Sequence, residues 1–160
     1  MSDSPEHSTS ISGHHFVTSS FWRMFPGGMR RRWWMFRPFD LLARSMPVFK
    51  PRRGVLVVRM DGIGDMVLFR TSLEHYAAVF GYDKSEITIL GCESWATIAA
   101  EVFPGYRIFC INEHNFARWP FYRFWISLKV RALNPAVSVC DSYLRRAMMA
   151  DSLVWVSGAP

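Results

Sequence analysis

The pattern of apolar and polar residues changes at residue 54, where short apolar runs begin to alternate with segments of helical periodicity. The runs are rich in Val and Ile and are bounded by Gly, Pro, Asn or Asp, which predicts strands at residues 54–60, 86–90, 106–111 and 136–140. The intervening periodicity predicts helices over residues 65–80, 93–103, 120–133 and 141–157, with a polar-aromatic loop at 112–119. This alternation predicts an α/β domain with a Rossmann-like parallel sheet, right-handed crossovers and helices on both faces.

The residues before 54 have a different composition. Residues 1–20 are rich in Ser, Thr, Asp and His without an apolar period, which predicts disorder. Residues 21–50 interleave aromatic residues with six arginines. Their Pro and Gly residues, Pro38 and Pro47 among them, are expected to break any long helix. Three interpretations stay open: rings packed on the domain, contact with an anionic membrane surface, or single-stranded nucleic acid stacked on the rings.

The net positive charge of the chain comes from the residues before 54. The chain has 160 residues, of which 50% are apolar and 20% charged, so it fits one domain of residues 54–160 plus a leader of residues 1–53. The leader holds nine basic and three acidic residues, which account for the whole net charge of +6. No apolar stretch is long enough for a membrane span, and no secretory signal is visible. Three widely spaced cysteines, Cys92, Cys110 and Cys140, are typical of buried free thiols in a reducing, cytoplasmic setting.

The candidate chemistry lies where the first predicted strand meets its helix. Asp61, Gly62, Gly64 and Asp65 occupy this junction, and parallel sheets bind ligands at the carboxyl ends of their strands. The glycines are expected to make a sharp turn and leave room for a substrate. Asp65 is then either a helix cap or a general base whose negative charge the helix dipole stabilises.

Other functional motifs fit less well. A dinucleotide-binding fingerprint would need a small residue where Val67 stands and an acid about 20 residues further on, whereas Glu93 lies 31 positions after Gly62. The five histidines form no metal-binding spacing, and no metal site is expected. The sequence also shows no phosphate-binding loop and no serine or cysteine nucleophile motif.

The stretch Val55-Leu-Val-Val-Arg-Met-Asp-Gly-Ile-Gly-Asp-Met-Val-Leu68 resembles the opening of the heptosyltransferase-type glycosyltransferases of family nine. The similarity continues through residues 87–96 and returns weakly at 142–146 and 151–159. The resemblance implies a GT-B fold whose N-terminal half receives a lipopolysaccharide-core or related glycan acceptor. The C-terminal half would bind a nucleotide-sugar donor of the ADP-heptose type. The match ends before that donor half, so the chain is expected to bind no cofactor and to be inactive alone.

The resemblance also assigns roles to residues. Asp65 falls on the family's catalytic Asp, which takes a proton from the acceptor hydroxyl during inverting transfer without a metal. Asp61, Gly62 and Gly64 would contact the acceptor. Further along the chain, acceptor contacts are expected from Asp141, Arg145 and Arg146. The expected partners are a glycan or lipid-linked sugar acceptor, a separate donor domain, and the inner membrane surface through residues 21–50, but no nucleic acid. The alternative function is a non-catalytic module that docks on a membrane or partner through the leader.

Overall fold

The computed structural model describes residues 33–142 and 147–160, which form a parallel sheet with packed helices. The strands are β1 (Val55–Arg59), β2 (Ile87–Cys92), β3 (Arg107–Ile111) and β4 (Val137–Cys140). Their order is β3-β2-β1-β4, and every neighbouring pair is parallel. The predicted α/β class and Rossmann-like parallel sheet are confirmed.

The helices differ from the sequence prediction in three places. The segment 112–119 is not a loop, because helix α4 (Glu113–Arg118) forms where the Asn112 side chain accepts a hydrogen bond from the Asn115 N–H. The predicted helix over 93–103 is split into a 3₁₀ turn and α3 (Ala96–Val102). In place of one last helix, the described part has a π turn (Ala147–Asp151) and α6 (Ser152–Ser157), and residues 143–146 lie outside the described residues. The other helices are α1 (Trp33–Ser45), α2 (Ile63–Phe80) and α5 (Pro120–Leu133).

Gly54 allows the two central strands, β1 and β2, to begin close together. Gly54 precedes β1 with φ +78°, a left-handed conformation that favours glycine. A Cβ atom there would lie 2.2 Å from the carbonyl oxygen of Glu86, the residue before β2. Gly54 therefore lets β1 and β2 start side by side, with Val55 opposite Ile87.

The strand order creates a reversal between β1 and β4. The chain steps outward from β1 to β2 and β3, and then returns to place β4 on the other side of β1. With right-handed crossovers, α2 and α3 cover one face of the sheet and α5 covers the other. The carboxyl ends of β1 and β4 therefore flank a topological switch point, where open α/β sheets bind their ligands.

Helix α1, from the basic aromatic leader, packs against α5 and α6. Its buried face carries Phe36, Asp40 and Ala43 at helical spacing. The expectation that Pro38 would break a helix is wrong, because this residue lies inside α1 on its exposed side. Burial of the opposite face offsets the cost of the missing backbone hydrogen bond. None of the helices within 33–142 and 147–160 has the length and hydropathy needed to cross a bilayer.

A buried ion pair fastens α1 to the rest of the molecule. The Arg123 Nε and Nη2 atoms donate to the two carboxylate oxygens of Asp40 at 2.8 and 2.6 Å, and Arg123 is 1% and Asp40 4% exposed. The hydroxyls of Ser127 and Ser152 also donate to this carboxylate, at 3.5 and 3.0 Å. The Arg123 guanidinium also lies 4.5 Å from the ring centroid of Phe116. This cluster joins α1, α4, α5 and α6.

We expect Asp40→Asn to destabilise the protein by about 3–5 kcal/mol, because it leaves the buried Arg123 charge without its partner. Urea unfolding measures this loss. Glu74→Gln, which removes an exposed pair with Lys84 (3.7 Å), is the matched control and should change stability little. An Asp40→Asn protein within about 1 kcal/mol of the parent would contradict the assigned role.

Candidate functional site

Two predicted site residues meet at the switch point through an arginine. Asp61 follows β1 and Asp141 follows β4, and Arg59, the last residue of β1, lies between them. Its Nε donates to Asp61 Oδ2 at 2.8 Å, and its Nη1 lies 3.5 Å from Asp141 Oδ2. One guanidinium therefore contacts both of the carboxylates that follow the neighbouring strands β1 and β4.

Helix α2 holds this arginine and the second carboxylate in place. The Arg59 guanidinium lies 4.2 Å from the ring centroid of Phe69, and this cation–π contact limits the movement of the Arg59 side chain. The hydroxyl of Tyr76 donates to Asp141 Oδ2 at 2.8 Å. Burial, and then the hydrogen bond to Asp141, raises the pKa of Tyr76 to about 12. The phenol therefore remains a hydrogen-bond donor throughout the neutral range.

Asp65 is placed differently from the other two carboxylates. It lies in the first turn of α2, is exposed, and makes no hydrogen bond or ion pair with any residue of the described ranges. The helix-cap interpretation is wrong, because Gly62 is the N-cap residue and no side chain caps this end. The Asp65 carboxylate is thus accessible to a ligand, close to the positive end of the helix dipole.

The two glycines of the motif provide space, and the expectation that they make a sharp turn is wrong. Gly62 is extended, at φ −73° and ψ 169°, and neither glycine has a positive φ. A Cβ atom added to Gly62 or to Gly64 would meet no atom of residues 33–142 or 147–160 within 4 Å. The surface beside Asp65 is therefore open at both positions, and an alanine would fit the unliganded fold.

A buried hydroxyl lies beside Asp141. Ser142 is 9% exposed, and its Oγ has no hydrogen-bond partner in the part of the chain that the structure describes. An unsatisfied buried hydroxyl costs about 1–3 kcal/mol, so a partner supplied by a ligand would be favourable. The predicted contacts Arg145 and Arg146 lie outside the described residues.

A polar cleft of about 250 Å³ opens at the ends of β2 and β3 on the same edge of the sheet. Its lining is Glu93, Ser94, Asn112, Glu113 and His114, and the Asn112 side-chain amide donates to Glu93 at 2.9 Å. The cleft offers both hydrogen-bond donors and acceptors, a surface suited to a polyhydroxyl ligand. The cleft lies on the same edge as the switch point, but no hydrogen bond or ion pair joins its lining residues to Arg59, Asp61 or Asp141 in the described structure.

The structure also gives evidence on dinucleotide binding, metal binding and cysteine nucleophiles. Val67, the third position of the dinucleotide fingerprint, is 48% exposed and does not make the close helix–sheet contact that this fingerprint requires. No cluster of three or more metal-ligating side chains occurs among residues 33–142 and 147–160. Cys92 and Cys110 are buried free thiols as predicted, whereas Cys140 is only partly buried. Burial raises the pKa of Cys110 to about 12, so its thiol stays protonated and weakly nucleophilic at neutral pH.

Three residues of this edge could not be predicted from sequence: Arg59, Tyr76 and Ser142. Arg59 stands at the polar end of an apolar run, which is its only sequence signal. Tyr76 fits the apolar face of a helix, and Ser142 stands at the start of the predicted helix 141–157. Their roles depend on the return of β4 to the side of β1, which periodicity does not reveal.

Comparisons with known proteins add no relative. No protein-family model matches the chain, no curated protein matches it, and no solved structure matches it. The family-nine resemblance therefore remains a statement about the motif residues 55–68 and the segments that follow them.

We expect the stability of the protein to fall between pH 10 and 12, because the pKa of Tyr76 is raised from 10.0 to about 12 on folding. In this window the unfolded chain releases the phenolic proton while the folded chain retains it, so a rising pH favours unfolding. Tyr76→Phe should show a smaller fall, measured by urea unfolding across this range. Equal slopes for the parent and Tyr76→Phe would show that Tyr76 is not shielded as described.

Proposed function

We propose that this chain provides the acceptor-binding half of a family-nine-like inverting glycosyltransferase, with Asp65 as the general base. The observation that carries the proposal is the state of Asp65, whose carboxylate is exposed and makes no hydrogen bond or ion pair with the described residues, beside two glycines that leave space at the switch point. The neighbouring Asp61 and Asp141 are held by Arg59. A base must keep a free lone pair for the substrate, whereas groups that orient a substrate benefit from being fixed.

The proposed reaction uses Asp65 for one proton transfer. The carboxylate accepts the proton of an acceptor hydroxyl while the hydroxyl oxygen attacks the anomeric carbon of the sugar. The bond from that carbon to the nucleotide diphosphate breaks as the new glycosidic bond forms, with inversion. The electron pair of the broken bond leaves with the diphosphate, which a donor domain would bind. The carboxylate also favours the oxocarbenium-like transition state, as in glycoside hydrolysis.

The remaining groups of the site suit a neutral polyol better than an anion. Arg59 is occupied by two carboxylates, so the described part of the switch point offers no uncommitted cation. Asp61 and Asp141 can accept hydrogen bonds from sugar hydroxyls, and Ser142 can donate or accept one. Arg145 and Arg146 remain proposed contacts for a charged group on the acceptor.

We expect Asp61→Asn and Asp141→Asn to weaken binding of a lipopolysaccharide-core oligosaccharide by about tenfold or more, because each replaces a charged hydrogen-bond acceptor with a weaker neutral one. Calorimetric titration of the purified chain measures this without a donor. Asp65→Asn should bind within a few-fold of the parent and should show no sugar transfer from ADP-heptose in any preparation in which the parent transfers. Glu101→Gln, an exposed carboxylate on α3, is the control.

Two results would contradict this assignment. One is oligosaccharide binding that is equally strong in the parent, Asp61→Asn and Asp141→Asn. The other is sugar transfer that persists in Asp65→Asn.

Substitutions that add or remove a single group should separate ligand contact from folding. Gly64→Ala places a methyl group in open space within a helix and should leave the protein as stable or up to about 1 kcal/mol more stable. Ser142→Ala removes a hydroxyl that has no hydrogen-bond partner within the described ranges and should also preserve stability. Both are expected to weaken oligosaccharide binding. A loss of thermal stability that parallels the loss of binding would instead indicate a structural role.

A further inference from the structure

We propose that the outer surface of α1 and α5 docks on an anionic lipid membrane. Two apolar ridges form this surface, each spaced i, i+3, i+7 along its helix. The ridges are Phe39, Leu42 and Met46 on α1, and Phe121, Phe124 and Leu128 on α5. The inference is independent of the glycosyl-transfer proposal.

The two ridges are joined by aromatic contacts and are open to solvent. The ring of Phe39 lies 6.3 Å from the rings of both Phe121 and Phe124, edge to face. Leu42 and Phe121 are each 49% exposed, and Met46 is 37% exposed. The ridges therefore form one apolar surface, which is here called the α1/α5 surface. Exposed apolar surface of this kind marks an interaction site.

The charge of the same two helices identifies the partner. Helices α1 and α5 contain a single acidic residue, Asp40, which is buried against Arg123. Arg123 is itself buried, and the remaining charged side chains of the two helices, Arg37, Arg44, Lys129 and Arg131, are basic and at least partly exposed. The sequence is basic on both sides of α1 as well, with Arg30, Arg31 and Arg32 before it and Lys50, Arg52 and Arg53 after it. Apolar ridges on two helices whose accessible charges are all basic fit a bilayer interface with anionic headgroups.

Two other occupants fit these features less well. Leu42, Met46 and Leu128 are aliphatic and cannot stack on bases. The three phenylalanine rings pack edge to face on one another, with Phe39 against both Phe121 and Phe124, so they do not form the separate stacking platforms that single-stranded nucleic acid prefers. A second copy of the chain would bring basic residues against basic residues across a two-fold contact, which is unfavourable. The α1/α5 surface also lies on the face of the sheet opposite α2, so a docked protein would keep Asp65 exposed to solution.

Sedimentation of the full chain with vesicles tests the proposal. We expect binding to phosphatidylcholine–phosphatidylglycerol vesicles, weaker binding to phosphatidylcholine alone, and release at high salt. The double variant Leu42→Gln/Phe121→Gln should bind about tenfold or more weakly, because two inserted apolar side chains are lost. Leu68→Gln/Val79→Gln, which changes two exposed apolar residues of α2, is the matched control and should bind like the parent. Thermal unfolding checks that each variant is folded.

Any of several results would overturn the proposal. Equal vesicle binding by the two double variants would show that the α1/α5 surface is not the contact. Binding that does not depend on phosphatidylglycerol would remove the role of charge. Dimerisation, or binding of single-stranded DNA, that Leu42→Gln/Phe121→Gln abolishes while vesicle binding is retained would assign the surface to one of those partners.

Discussion

The ion pair between Asp40 and Arg123 is the constraint on which the arrangement of the helices depends. Both charges are almost completely buried, so each needs the other to offset the cost of leaving water. Because Ser127 and Ser152 complete the hydrogen bonds of the carboxylate, the angle at which α1 meets α5 and α6 is tightly restricted. A segment that precedes the sheet in sequence thereby becomes part of the folded unit.

The switch-point edge uses charge in a different way. Arg59 contacts Asp61 at 2.8 Å and Asp141 at 3.5 Å, and the Asp141 side chain remains 46% exposed, so water can reach it. Tyr76 adds a donor from α2. This arrangement fixes the direction of two acceptors and leaves a third carboxylate, Asp65, without a partner in the described part of the chain. The division between oriented and uncommitted groups is the basis for treating this edge as a binding site.

The sheet could be predicted from sequence because its strands are short apolar runs. The end of β2 was placed wrongly, because this strand continues through Gly91 to Cys92. The helix α4 could not be predicted, since it has only six residues and depends on the side chain of Asn112. The helix α1 was not predicted, because Pro38 argues against a helix and because an aromatic and basic composition suits several environments. The position of Asp65 after β1 was predicted correctly, but its freedom from capping was not, because capping depends on where the first turn begins.

The partners of Asp40 lie far along the chain, with Arg123 83 residues later and Ser152 112 residues later. During synthesis on the ribosome, α1 emerges long before the residues that cover its inner face. Phe36 and Asp40 must therefore remain without their native contacts until the sheet and α5 have been made. The first described helix of this protein is thus among the last to reach its native environment, a delay during which chaperones have access to it.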